Sequence, residues 1–471
     1  MRSLSSLRQQ LSSIAARKAR REELLEQVRS GKYDHIFPAS EYYADPPTSP
    51  REEPLPGDPL AGFVELEGGV LHRRVELELP GAGSPAAGGV GALPARPYDP
   101  AQWNPIAPEL LAELLPLADG PPTDPVGLED VCFLDTETTG LAGGTGTVAF
   151  LVGLGWWERR APAGWRFVVE LLLMRDFPHE PGMIRALEER LGRFRVFCTY
   201  NGRVFDVPLL RTRAIMNRCR PKLFARPNLD LLFFCRRFWR GVLPSVSLKS
   251  VEEGVLGLDR GPDIDGAMIP RIFFDLSRGM QPPLLGSVIS HNVQDIATLA
   301  GLLDKALCLA RDPFGGGELT RWEEFDALAR HCERRRDPAG ACRALATALD
   351  VAPCRGEEKA LLLRQAAAHK RLRDWSAAVP IWEPLATDRD PAVAFEAVTE
   401  LAKYHEHTTR NCAAALAVVE GLLRRLELRR DLDWYIGSGG GADPERLAAL
   451  EHRRERLRLR LAKARRQAPA P

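Results

Sequence analysis

Hydrophobic and polar positions follow a strand-like pattern in the middle of the chain. Residues 131–134 are an apolar run that predicts a buried strand, and residues 148–155 predict a second apolar strand after a turn rich in glycine and threonine. Residues 165–174 predict a third strand, and residues 183–191 predict a first helix. Strands followed by helices mixed with further strands favour an α/β fold, a mixed sheet flanked by helices.

The segment before these strands is divided by composition. Residues 1–30 have leucines at helical spacing among many Arg and Lys residues, which predicts a basic amphipathic helix. Such an arm could contact nucleic acid or a membrane surface, but we favour a solvated helix packed loosely on the body. Residues 31–60 are rich in Pro and charge and predict a linker. Residues 62–79 alternate around two glycines and predict a hairpin.

After about residue 318 the chain becomes rich in Ala, Leu and Arg with helical periodicity, and it repeats itself. Asp337, Asp374 and Asn411 mark three similar segments and lie 37 residues apart. Polar turn residues followed by helices of small residues at this period resemble a tetratricopeptide-type array. Stacked helix pairs of this kind bind a protein partner in their groove, or here buttress the preceding domain. A last basic helix over 444–466 predicts a nucleic-acid contact or, as we favour, a cap on the array.

Length and composition add bounds. With 471 residues, of which 45% are hydrophobic and 27% charged, the chain is long enough for two or three domains, and a net charge of +1 excludes no partner. No apolar run approaches the length of a membrane span, so we expect a cytoplasmic protein without membrane association. The nine cysteines contain no CxxC pair, so neither a zinc site nor a disulfide framework is indicated. The predicted segments are 1–60 (basic helix and linker), 61–123 (hairpin and linker), 124–312 (the central strands and their helices), 318–436 (the helical repeats) and 444–471 (the last basic helix and tail).

Candidate chemistry begins at the end of the first strand. Asp135 and Glu137 lie two residues apart, so their side chains share one face of an extended strand and repel each other unless a cation lies between them. Taken alone, such a pair more often lies at the solvated end of a strand than in a functional site. Downstream, Asp206 lies near a boundary between elements, and His291 and Asp295 share a helix face at i and i+4. Four acids can therefore converge on one cluster.

These motifs resemble a known family. D-x-E, N-G-x-x-F-D and H-N-x-x-D, in that order, are similar to the three exonuclease motifs of the DEDD group of 3′–5′ exonucleases. The segment over roughly 128–309 resembles the bacterial YprB-like ribonuclease H-like domain family, and the resemblance rests on LDTETTGLAGGTGT, YNGRVFD, NLDLLFFCRRFW, SVSLKSVEEGVLGLDR and IDGAMIPRIFFD. The expected fold is an α/β ribonuclease H-like domain followed by an all-α tetratricopeptide-like repeat domain.

The resemblance implies two divalent cations, Mg²⁺ or Mn²⁺, and phosphodiester hydrolysis. Asp135 would bridge both ions, Glu137 and Asp295 would hold the ion on the nucleophile side, and Asp206 would hold the other. His291 would orient or deprotonate the attacking water, or it would only orient the cluster. The DEDD enzymes are divided into two types, which have either a Tyr four residues before the last Asp or a His five residues before it. Here a His stands at the four-residue spacing.

The same motifs supply candidate substrate-binding residues, namely Thr138, Thr139, Gly140, Asn201, Arg203, Phe205 and Asn292. Between residues 195 and 249 there are twelve basic and two acidic residues, an excess that suits a phosphate backbone. Arg236, Arg237 and Arg240 beside Phe238 and Trp239 predict base stacking or, with nearly equal weight, a helix surface covered by arginine stems.

Asp230 lies in an apolar stretch, where an unpaired charge is costly, so we expect it to bond backbone amides or an Arg rather than a metal.

We predict a metal-dependent 3′–5′ exonuclease acting on DNA or RNA, with nucleic acid as its partner. Two other classes of function remain. One is a nucleic-acid-binding module with weak catalysis, for which the unusual spacing of His291 leaves room. The other is a scaffold in which the helical repeats bind a protein partner. The presence of all four acids favours the nuclease.

Overall fold

The structure is a computed structural model that describes residues 57–77, 100–115, 120, 122–140, 146–160, 164–259, 264–315, 318–351, 355–436 and 443–467. The predicted N-terminal helix and most of the following linker lie outside the described residues. So does part of the glycine-rich turn after the first predicted strand, over 141–145.

A seven-stranded sheet forms the first part of the molecule. Its strands are β1 (Val64–Glu65), β2 (Val70–Leu77), β3 (Val131–Thr138), β4 (Ala149–Arg160), β5 (Gly164–Met174), β6 (Val196–Thr199) and β7 (Asn228–Asp230). Their spatial order is β1-β2-β5-β4-β3-β6-β7. The pairs β3–β6 and β6–β7 are parallel and the other pairs are antiparallel. The carboxyl ends of β3, β6 and β7 therefore meet at one edge of the sheet.

The three strands predicted for the middle of the chain are confirmed, with β4 running on to Arg160 rather than ending at residue 155 and β5 beginning one residue earlier than expected. The hairpin predicted over 62–79 is also confirmed, as β1 and β2. β2 pairs with β5 along its whole length, from Val70 opposite Met174 to Leu77 opposite Phe167. The sheet thus extends into the predicted segment 61–123, because the free edge of β5 offers a full ladder of hydrogen-bonding groups.

Helices surround the sheet and then continue alone. Those of the first part are α1 (Pro108–Leu114), α2 (Glu180–Leu191), α3 (Asp206–Met216), α4 (Leu231–Trp239), α5 (Leu248–Val251), α6 (Ile269–Ser277) and α7 (Leu285–Arg311). The remaining seven are α8 (Trp322–Arg334), α9 (Pro338–Val351), α10 (Arg355–Arg371), α11 (Trp375–Leu385), α12 (Pro391–His407), α13 (Cys412–Ile436) and α14 (Pro444–Gln467). Short 3₁₀ turns lie at Pro100–Trp103, Leu128–Asp130, Phe177–His179 and Pro221–Phe224, and a π-helical turn at Glu252–Leu256.

The long helix α7 lies directly against β3, β4 and β5. Two glycines of β4 make this close approach feasible. A Cβ atom at Gly153 would collide with Oδ1 of Asn292, and one at Gly155 would collide with Ile296. Because glycine has no side chain, the backbone of β4 and the side chains of α7 can touch. This contact sets the position of α7 relative to the end of β3.

The helices after α7 repeat as the sequence predicted. Arg336, Arg373 and Arg410 have left-handed backbones with φ of 60°, 60° and 54°, and they are 37 residues apart. The next residue in each case, Asp337, Asp374 or Asn411, accepts a hydrogen bond from a backbone N–H three residues later in the following helix. One turn geometry is therefore used three times.

The helical region shares its first core with the sheet domain. Buried residues run continuously from the strands to Leu345 and Leu361, and a second core spans α10 to α14. Trp239 Nε1 donates a hydrogen bond of 2.5 Å to Glu324 Oε1 between α4 and α8, and both residues are buried. The two parts are thus joined by packing and by a polar contact.

The last helix packs on the repeats, as the favoured interpretation predicted. Leu450 and Leu457 are buried in the second core. Buried Glu406 accepts hydrogen bonds from three arginines of α14, which are Arg453, Arg456 and Arg460. Three arginines of α14 therefore hold this helix against α12 through one buried carboxylate. Within the described residues, no helix combines the length and apolar character that a membrane crossing requires.

Candidate active site

Asp135 and Glu137 lie at the carboxyl end of β3 and share a face of the sheet. Asp135 is opposite Gly153, and Glu137 is opposite Leu151 on β4. Since α7 covers that face at Gly153, both carboxylates point toward α7. The local pattern is that of an apolar strand whose last residues become polar where the sheet ends.

Helix α7 contributes an imidazole, an amide and a third carboxylate. His291 Nε2 lies 3.3 Å from Asp295 Oδ2 and 3.9 Å from Glu137 Oε1. The expectation that His291 and Asp295 share a helix face is therefore met. Asn292 Nδ2 donates a hydrogen bond of 2.8 Å to Asp135 Oδ2. Asn292 is fully buried, so in this geometry it orients Asp135, and the substrate contact predicted for it has no accessible surface.

Asp206 is the first residue of α3 and reaches the cluster from the loop that follows the neighbouring strand, β6. Its Oδ1 accepts a hydrogen bond of 2.5 Å from Thr136 Oγ1. Thr136 lies between the two acids of β3 and was not singled out from the sequence, where a threonine in a strand carries no distinguishing signal. The structure thus gathers the four predicted acids around the end of β3.

Two of the four acids have raised pKa values. Burial raises the pKa of Asp135 well above its usual range, and the charges of Asp295, Asp206 and Glu137 raise it further, while His291 opposes them. Burial also raises the pKa of Asp206 to about 6, against the opposing hydrogen bond from Thr136. The cluster therefore holds more negative charge than the protein itself neutralises.

Oxygen ligands of this kind suit Mg²⁺ or Mn²⁺. Even so, in the described part of the chain no group of three or more His, Cys, Asp or Glu side chains is arranged to hold a metal ion. Two of the acids direct an oxygen to a protein donor, Asp135 to Asn292 and Asp206 to Thr136. By its chemistry the donor set, four carboxylates, fits a hard cation, and Asp135, Glu137, Asp206 and Asp295 are the residues that would hold it.

The loop before Asp206 is fixed by Asp230. This carboxylate accepts hydrogen bonds from the backbone N–H groups of Asn201, at 2.8 Å, and Arg203, at 3.2 Å. It also accepts one from Leu232 at the start of α4, at 3.1 Å. Asn201 has a left-handed backbone with φ of 62°. The structural role predicted for Asp230 is confirmed, and that role is to hold the strained loop from which α3 begins.

The remaining candidate substrate residues surround the cluster. Thr138 Oγ1 donates to the Gly140 carbonyl at 3.0 Å, and Thr139 Oγ1 accepts from Val148 N at 3.1 Å. These hydroxyls therefore shape the turn after β3. In the other loop, Arg203 is exposed, and Phe205, beside Asp206, is 45% exposed.

The predicted base stacking on α4 is wrong. Phe238 and Trp239 are 1% and 0% exposed, and both belong to the first core. Arg236 and Arg240 are exposed, so the alternative of arginines covering a helix surface describes this segment. The sequence could not separate the two because an aromatic pair beside arginines is equally compatible with a core-facing helix.

Comparison with known proteins agrees with this fold. A family model described as RNase_H superfamily matches residues 132–307, the span from β3 through most of α7, so this part of the chain is an RNase H superfamily domain. The uncharacterized protein YprB of Bacillus subtilis strain 168 is 30% identical over 293 residues, which cover 61% of this chain and 68% of that protein. The chain belongs to the YprB family, and its sheet domain has a nuclease-type fold.

Proposed function

We propose that the protein is a metal-dependent nuclease that hydrolyses phosphodiester bonds of DNA or RNA from a free 3′ end. The observation that carries the proposal is the convergence of Asp135, Glu137, Asp206 and Asp295 at the end of β3, with His291 among them. The RNase H superfamily domain and the raised pKa values of the buried acids support it.

In this proposal the acids hold two divalent cations, Mg²⁺ or Mn²⁺. Two such ions supply an activated water and neutralise charge on the leaving oxygen. Asp135, oriented by Asn292, lies centrally, since its carboxylate interacts with all three other acids. Glu137 and Asp295 face His291 and form one side, while Asp206 reaches the cluster from α3 and forms the other.

His291 is proposed to handle a proton at Nε2. This atom lies near two acids, and the side chain is 20% exposed, so water can reach it. An imidazole titrates near neutrality and can accept a proton from an attacking water. Its position four residues before Asp295 places it one helical turn away on the same face.

The helical region is proposed as a tetratricopeptide-like array that supports the nuclease domain. The repeated turns at 37 residues favour the array, and the shared core with its Trp239–Glu324 hydrogen bond favours a supporting role. Binding of a protein partner in its groove is a second candidate role, and a cytoplasmic site of action is part of the same proposal.

The direct test uses single- and double-stranded DNA and RNA, labelled at the 3′ or the 5′ end, with Mg²⁺, Mn²⁺ or EDTA. We expect products that shorten from the 3′ end with metal present, and none with Asp135→Asn or Asp295→Asn. Glu189→Gln is the matched control, since it neutralises a carboxylate that is 83% exposed. Equal cleavage by the wild type and both Asn variants would refute the proposal.

A further inference from the structure

Helix α6 presents an aromatic ring between two arginines on its outward side. Arg271, Phe274 and Arg278 follow one another at i, i+3 and i+7, so they lie on one face. The side chains of Arg271 and Arg278 are 75% and 70% exposed, and Phe274 is 40% exposed. The inward face of α6 already buries Ile269, Ile272, Phe273 and Leu276. An additional exposed phenylalanine is therefore not required by the core.

A second exposed ring lies beside the first. Phe177 is 44% exposed, and its ring centroid is 6.3 Å from that of Phe274. Both contact the fully buried Phe273, at 5.1 and 5.8 Å. Phe273 in turn contacts Phe150 of β4 at 5.0 Å. The two exposed rings are thus held by a buried aromatic anchor on the sheet.

This surface lies at the same end of the sheet as the acidic cluster. Phe177 follows the last residue of β5 by three positions. Leu173 of β5 is opposite Leu151 of β4, which is opposite Glu137. Two strand spacings, about 10 Å in all, therefore separate the ends of β5 and β3.

The two arginines are available to an anion. Their acidic neighbour is Asp275, whose carboxylate lies 3.9 Å from Arg271 and 3.7 Å from Arg278. Both distances exceed hydrogen-bond length, and the guanidinium groups remain largely in solvent. The surface consequently carries positive charge on both sides of Phe274.

We propose that Phe177, Arg271, Phe274 and Arg278 form a platform for single-stranded nucleic acid, on which bases stack and phosphates pair with the arginines. The inference rests on the proposed nuclease function for its choice of ligand. Aromatic rings accept any base, so the platform is tolerant of sequence. It excludes intact duplex because paired bases do not expose their faces.

The test measures binding, in EDTA so that no cleavage occurs. The probe is a fluorescein-labelled 15-nucleotide single strand containing 2-aminopurine, whose quenching reports stacking. We expect Phe274→Ala to weaken binding about tenfold and to reduce quenching, and Phe274→Tyr to restore both. Arg271→Ala and Arg278→Ala should each lower the salt dependence of binding. Leu459→Ala, at a site on α14 that is 71% exposed, should change nothing.

The outcomes separate this proposal from the previous one. The platform proposal would be overturned if the Phe274→Ala variant bound the single strand and quenched its fluorescence as the wild type does. It would also be overturned if the wild-type protein bound no single strand, or bound duplex equally well. Asp135→Asn should bind normally and not cleave. If Asp135→Asn cleaved normally, the nuclease proposal would fail. The binding measurements with Phe274→Ala would still show whether the platform binds a single strand. Unchanged thermal unfolding of Phe274→Ala shows that any loss of binding is not misfolding.

Discussion

Neutralising Asp206 should make the metal-free protein more stable. This carboxyl is 8% exposed, and its pKa is raised from 3.8 to about 6, mainly by burial. At neutral pH the folded protein must therefore hold a charge that both desolvation and the nearby charge of Asp230 disfavour. Asp206→Asn keeps the shape of the side chain and the acceptor for Thr136, but removes the charge.

The size of the effect follows from the pKa. Each pKa unit corresponds to about 1.4 kcal/mol. The difference in the pKa of Asp206 between the folded and unfolded states therefore lowers the free energy of unfolding at neutral pH by about 3 kcal/mol. Below pH 3.8 both states of the wild type bind the proton. Between that value and about pH 6 only the folded state does, so the free energy of unfolding falls as the pH rises through this window. Above about pH 6 the free energy of unfolding is lower by the full amount.

The assay is thermal unfolding in EDTA between pH 4 and pH 8. At pH 7 we expect Asp206→Asn to melt roughly 6–12 °C above the wild type, at 2–4 °C per kcal/mol for a domain of this size. The gap should almost close at pH 4. Mn²⁺ should raise the melting temperature of the wild type and raise that of the variant much less, because bound metal stabilises only a competent site.

The matched control is Glu189→Gln, whose exposed charge has little effect on stability. The reasoning would be refuted by an Asp206→Asn variant no more stable than the wild type at pH 7. A stability difference that stayed constant from pH 4 to pH 8 would also refute it, since the cause would then not be the titration of Asp206.

Three further substitutions test contacts that support the site or the repeats. Asp230→Ala removes the acceptor of two backbone N–H groups in the loop before α3, so cleavage should fall at least tenfold and the melting temperature should drop. Gly153→Ala forces its new methyl group against Asn292, which should cost about 1–3 kcal/mol and impair cleavage by displacing α7. Glu406→Ala leaves three partly exposed arginines without their carboxylate, so α14 should become sensitive to limited proteolysis, at a cost of about 1–3 kcal/mol, while cleavage stays unchanged.

Each of these has a matched control. Asp265→Ala removes an exposed loop acceptor and should leave cleavage intact. Gly146→Ala meets no atom within 4 Å and should be silent. Glu420→Ala removes a half-exposed partner of Arg458 on α14 and should not expose the helix. A variant that behaved like its control would contradict the contact assigned to it.

Short-range order was readable from the sequence. The three central strands and the hairpin follow from apolar runs and from alternation with a period of two residues. The 37-residue repeat gave the positions of the three helix turns, since a cap needs a polar side chain wherever a helix starts. The common face of His291 and Asp295 follows from 3.6 residues per turn. These features depend on residues only a few positions apart.

Contacts between distant segments were decided only by the tertiary structure. Thr136 meets Asp206 across 70 residues, and Asn292 meets Asp135 across 157. Both depend on where α3 and α7 are packed against β3, and the glycines of β4 set the position of α7. Which aromatic rings face solvent was decided in the same way, because Trp239 is buried under α8 while Phe274 is not. Local sequence determines which face of an element is apolar, but packing determines which surfaces remain to be covered.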